Sequence, residues 1–168
     1  MKNLLFTLVA VLLFSNLQGQ EAEKEEGKPL PSVILTTLDG EEVDLQEYLN
    51  DGKPLIISLW ATWCTPCKKE LDNVSGLLDE WENKYGVRLL AISVDDSRNS
   101  MKVRPYIDGK GWEFHVLLDE NSDTKRALNW ATIPYTILVD KNRNIVYKHT
   151  GYTEGDEYEL EDQLKALK

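Results

Sequence analysis

At Trp60 an almost continuous apolar run gives way, within a few residues, to a helical pattern, and both cysteines of the chain sit at the join. Pro54-Leu-Ile-Ile-Ser-Leu-Trp60 predicts a strand buried on both faces of a sheet that helices cover. From Pro66 onward, Leu71, Val74, Leu77, Leu78, Trp81 and Tyr85 recur at intervals of three and four, which makes one apolar helical face, and Gly86 supplies its stop. A buried strand that feeds an amphipathic helix directly is the first half of a βαβ unit.

The rest of the chain continues that alternation. Ser32–Leu38 reads as a strand, turned at Asp39-Gly40 into a short partner at Glu42–Asp44, with a helical turn at Leu45–Leu49. Val87–Val94 and Trp112–Leu118 read as further strands, with helices expected over Asn99–Ile107 and Asn121–Trp130. Tyr135–Asp140 and Asn144–His149 form a hairpin pattern, and a last helix starts near Gly155 with Tyr158, Leu160, Leu164 and Leu167 as its apolar stripe. The order β-β, βαβαβα, ββα predicts an α/β sandwich with parallel strands at its centre and helices on both faces.

The 168 residues suit one domain with a substantial core. A net charge of −10 argues against a nucleic-acid partner, because phosphate binding requires Lys and Arg. Lys2 followed by the apolar Leu4–Phe14 has the length of a signal-peptide core and is short for a membrane span. Residues 1–19 are therefore expected to be a signal peptide, with an uncleaved membrane anchor as the alternative. No cysteine lies near the cleavage region to carry a lipid. Residues 20–30, rich in Glu, read as a flexible acidic linker, and 31–168 as the folded domain. Export implies a periplasmic or otherwise extracytoplasmic compartment, where disulfides persist.

Two cysteines cannot build a disulfide framework, so Cys64 and Cys67 are a local staple, part of a metal site or a catalytic dithiol. A staple closing so short a loop stabilises by only about 2 kcal/mol in the chain-entropy model. Zinc wants further ligands, and His115 and His149 have no ligand spacing to the cysteines. A dithiol fits the position. Cys64 falls at the helix N-cap, where unpaired N–H groups and the dipole favour a thiolate, and Pro66 is tolerated in the first turn. Cys67 lies one turn further in, close enough for a disulfide. Cys64 is expected to attack and Cys67 to resolve the mixed disulfide.

Trp60-Ala-Thr-Trp-Cys64-Thr-Pro-Cys67, followed by Lys68-Lys69-Glu70, resembles the active site of the thioredoxin superfamily, in its exported TlpA/ResA-like branch, over residues 31–168. The resemblance implies a thioredoxin-like three-layer sandwich, a mixed central sheet with helices on both faces, carrying an N-terminal β extension. Pro134 lies 67 residues after Cys67, more than a minimal thioredoxin fold needs, so an inserted αβ element is expected within Ser97–Leu118. Pro134 in Thr-Ile-Pro-Tyr-Thr matches the cis-proline that faces the dithiol, and Ile133 before it is then a substrate contact. Trp63 is expected over the cysteines, Trp60 in the core beside them, and Thr65 and Pro66 at the substrate-facing turn that helps set the redox potential. One departure stands out: thioredoxins proper carry a buried Asp six residues before the first cysteine, and here that residue is Ser58. Glu70, three residues after Cys67 on the same helical face, is expected to take over proton transfer.

The resemblance further implies a reductant of specific protein disulfides, as in cytochrome c maturation or related redox maintenance. It needs no cofactor beyond the Cys64–Cys67 dithiol. A membrane protein is expected as its electron donor and the monomer as its working form. The alternatives are a disulfide oxidant or isomerase, a non-catalytic binding module, and a thiol peroxidase. The last would place Thr three residues before the attacking cysteine, where this chain has Ala61.

Overall fold

The computed structural model describes residues 27–167; the expected signal peptide (1–19) and the linker up to residue 26 lie outside the described residues. The strands are β1 (Lys28–Pro29), β2 (Ile34–Thr37), β3 (Glu42–Asp44), β4 (Leu55–Trp60), β5 (Arg88–Ser93), β6 (His115–Leu118), β7 (Tyr135–Val139) and β8 (Asn144–Thr150). The helices are α1 (Thr65–Tyr85), α2 (Val103–Lys110), α3 (Asp123–Leu128) and α4 (Asp156–Ala166). All strands join one sheet in the order β1-β8-β7-β4-β5-β6-β2-β3. β4, β5 and β6 are parallel and the flanking pairs antiparallel, the mixed sheet expected from the alternation of elements.

Burial on both faces explains why β4 reads as unbroken apolar sequence: every residue from Leu55 to Trp60 is buried. Ile56 and Trp60 point to one face, where they meet Leu71, Val74 and Trp81 of α1, Val103 and Ile107 of α2, and Leu160 and Leu164 of α4. Leu55, Ile57 and Leu59 point to the other, against Leu128 of α3 and Leu45 and Leu49 of a 3-10 turn. The element α2–β6 is the expected insertion; β6 pairs parallel with β5 and extends the sheet. The N-terminal β2–β3 hairpin then pairs antiparallel with β6.

Three local expectations are corrected. The linker expected to run through residue 30 does not: Lys28–Pro29 pair with Asn144–Ile145 of β8, and Leu30 is buried in the core. The sequence is acidic up to Glu26, and the apolar Leu30 gives the segment after it something to bury. The last helix does not bury Tyr158; its inward face is Glu157, Leu160 and Leu164, spaced by three and four, which leaves Tyr158 exposed. Glu157 is tolerated inside because its carboxylate accepts from the Tyr152 hydroxyl at 2.7 Å and the Gly155 amide at 3.0 Å. The strand expected from Trp112 begins only at His115, and Trp112 and Phe114 instead fill the core ahead of it.

Candidate active site

α1 begins where β4 ends, and the turn between them is held by its own backbone. The Cys64 amide donates to the Ala61 carbonyl at 3.0 Å, and the Lys68 amide to the Cys64 carbonyl at 3.2 Å. Cys64 is the N-cap of α1 in extended conformation, and its Sγ accepts from the Cys67 amide at 3.3 Å. Pro66 occupies the first helical turn, where its missing N–H has no intrahelical role. Cys64 and Cys67 form a disulfide with their Cα atoms 5.4 Å apart. Cys64 is 5% exposed and Cys67 is 0% exposed, so what access there is belongs to the N-cap sulfur. Thr65 and Pro66 are exposed beside it. When the disulfide opens, an N–H donor and the helix dipole both meet Sγ of Cys64, an arrangement that favours the thiolate.

One turn into α1, Glu70 points inward and is only 5% exposed. Ser58 on β4 donates its hydroxyl to Oε2 at 3.1 Å, and Thr136 on β7 donates to Oε1 at 2.7 Å. Burial pushes the Glu70 carboxyl up to about 7, against the pull of these two donors. The residue that departs from the thioredoxin pattern, Ser58, thus donates a hydrogen bond to the Glu70 carboxyl.

The Ile133–Pro134 bond is cis. Tyr135 pairs with Leu59, so Pro134 lies level with the end of β4 from which the cysteine turn departs. Ile133 is half-buried next to a groove of about 350 Å³ lined by Trp63, Val94, Lys125, Trp130 and Thr132. Trp63 is 64% exposed and forms one wall of this groove. Trp60 is buried as expected, edge-on to Trp112 at 5.3 Å.

Two further residues escaped the sequence reading. Asp95, buried just after β5, accepts from the Thr62 amide at 2.8 Å, the Thr62 hydroxyl at 2.7 Å and the Ser93 hydroxyl at 2.8 Å. It ties the turn before Cys64 to the neighbouring strand. Its signal was an acid immediately after the apolar run Val87–Val94, at the carboxyl end of a parallel strand where sites in such sheets form. Thr136 was missed as well; its signal was a lone hydroxyl in the otherwise apolar Tyr135–Val139.

The model of the AhpC/TSA family matches residues 27–148. A curated relative from Bacillus cereus, named thiol-disulfide oxidoreductase ResA, is 26% identical over 98% of this chain and 96% of its own length. The solution structure of an uncharacterized thioredoxin-like protein from Porphyromonas gingivalis is 48% identical, with a TM-score of 0.74 over 82% of this chain and 90% of that one. A crystal structure of a putative thiol:disulfide interchange protein DsbE from Chlorobium tepidum, 23% identical, shares the fold with a TM-score of 0.74 over 84% and 96%. Sulfur chemistry read from the turn and kinship read from the whole chain agree: the protein belongs to the AhpC/TSA family, and within it is a thiol–disulfide oxidoreductase of thioredoxin-like fold.

Proposed function

We propose that the protein is an exported dithiol reductant that opens specific protein disulfides by cycling Cys64 and Cys67. The observation that carries this reading is the place of Cys64 Sγ at the cap of α1, with the fully buried Cys67 one turn behind it. In the forward reaction the Cys64 thiolate attacks one sulfur of a substrate disulfide, forming a mixed disulfide and releasing a substrate thiolate. Cys67 gives its proton to Glu70, attacks Sγ of Cys64 and expels the second substrate thiolate. The Cys64–Cys67 disulfide remains, and the two expelled substrate thiolates take their protons from solvent, to which Glu70 returns the one it took. Glu70 suits the role because its raised proton affinity lets it hold and release a proton near neutrality.

An extended polypeptide is the substrate form that fits the groove between Trp63 and Ile133, with backbone groups before the cis-proline as its partners. Apocytochrome c or another protein under redox maintenance is the expected client. The protein works outside the cytoplasm as a monomer and is recharged with two electrons by a membrane protein through the same exchange. The apolar Leu4–Phe14 supports export, and no helix among the described residues is long and apolar enough to cross a membrane. Peroxidase chemistry is disfavoured by Ala61, and by Thr62 committing its hydroxyl to Asp95.

Cys67→Ser should accumulate mixed disulfides through Cys64, and mass spectrometry of the trapped proteins names the clients. Equal trapping by Cys64→Ser would reverse the assigned roles. A reduction potential near about −270 mV fits a reductant, whereas one near about −120 mV makes the protein an oxidant.

A further inference from the structure

Glu70 is buried among α1, β4 and β7 with only 5% exposure, so a proton it takes from Cys67 needs a way out. The strand register supplies one. Ser58 pairs with Thr136 across β4 and β7, and Thr136 pairs with His149 across β7 and β8. Residues directly opposite one another in an antiparallel pair point to the same face, with Cβ atoms about 5 Å apart. Ser58, Thr136 and His149 therefore form one row on the face that carries Glu70. Inward the row continues only through the apolar Ala91 and Val116. Outward it ends at His149, whose side chain is 27% exposed. His149 is held there: Nε2 lies 3.2 Å from Oδ2 of Asp156 at the start of α4, and the ring stacks on Tyr147.

We propose that His149, oriented by Asp156, relays the proton between the buried Glu70 carboxyl and solvent in each dithiol–disulfide cycle. The inference rests on the proton role of Glu70 given above. Glu70 passes the proton taken from Cys67 to the His149 ring, which releases it to water on its exposed side. An imidazole both accepts and donates a proton near neutral pH. With Nε2–H given to Asp156, Nδ1 is the basic nitrogen. The other titratable group on β8 facing Glu70 is Tyr147; burial and the nearby Glu159 push its hydroxyl well above the phenol range, so it stays protonated and cannot accept. His149 acts through Glu70 and not on the sulfurs, as a positioning residue for its proton.

The test is the single-turnover rate at which the fully reduced protein reduces a peptide disulfide, measured from pH 5 to 9 in the wild type, His149→Gln, Glu70→Gln and the double variant. Loss of the ring, which favours the ionised Glu70 carboxylate, should move the profile of His149→Gln upward by about half a unit, so that the rate on its acid limb falls about threefold. In the Glu70→Gln background, His149→Gln should have no further effect. Added imidazole should restore the rate of His149→Ala but not that of Glu70→Gln. An altered profile in Glu70→Gln with a wild-type profile in His149→Gln overturns the relay and keeps the role of Glu70. An unaltered profile in Glu70→Gln removes that role itself. A further loss in the double variant would mark His149 as merely structural.

Discussion

Two cross-strand rows lie one pleat apart on the same sheet face, each buried on β5, β4 and β7 and partly exposed on β8. Leu89, Ile56, Leu138 and Tyr147 form one; Ala91, Ser58, Thr136 and His149 form the other. The first meets the helices through apolar surface and stabilises the fold. The second sets two hydroxyls against a buried carboxyl, which is tolerable only because both hydroxyls donate to Glu70. Backbone pairing is the same for both, so side chains alone separate the row that stabilises from the row that tunes an acid.

That contrast can be broken most forcefully from the apolar side. Leu138→Ala should lower unfolding stability by about 2–5 kcal/mol in urea titration while leaving the pH profile of thiol exchange in place. A loss below about 1 kcal/mol would mean that the apolar row is not the structural one.

Glu70→Gln should act next most strongly, and with a definite pH sign. The carboxyl is pushed up to about 7 in the fold from an ordinary value of 4.5, so between these pH values the native state holds a proton that the unfolded chain releases. Native stability is therefore favoured at low pH and declines as pH rises through that window, by about 3 kcal/mol in all. Glutamine does not titrate. Relative to wild type, Glu70→Gln should gain stability by about that amount between pH 4.5 and pH 8, read from urea midpoints. A pH-independent difference would show that Glu70 ionises normally.

The smallest effects belong to the two donors. Each favours the ionised carboxylate, so each deletion raises the proton affinity of Glu70 and moves the exchange profile to higher pH. Thr136→Val should shift it by about a unit and Ser58→Ala by less, since the Thr136 bond is 2.7 Å and the Ser58 bond 3.1 Å. A downward shift in either would contradict the hydrogen bonds as assigned.

Much of the site was legible because its parts are close in the chain. Cys64, Cys67 and Glu70 stand three residues apart in succession, and helical spacing alone brings them to one side of α1. The stop at Gly86 was equally local, since its φ of 69° suits a residue without a side chain. Ser58 was noticed only as a missing acid, and Thr136 not at all. Their meaning depends on β4 and β7 pairing in one register, and a slip of β7 by a single residue would turn the Thr136 hydroxyl to the opposite core, away from Ser58 and Glu70. Lys28–Pro29 were unreadable for a similar reason: nothing nearby in sequence announces a strand whose partner is Asn144–Ile145.

The amino-acid order by itself determined the periodicities, the cap that receives a sulfur, the dithiol and the acid one turn on, because these depend on neighbours within a few residues. Only the tertiary structure decided which strands lie side by side, which hydroxyls reach Glu70, and that a histidine near the far end of the chain closes the row. Those contacts join segments dozens of residues apart. Their choice is made by the burial of whole sheet faces and by the single register in which Ser58 and Thr136 both meet the Glu70 carboxyl.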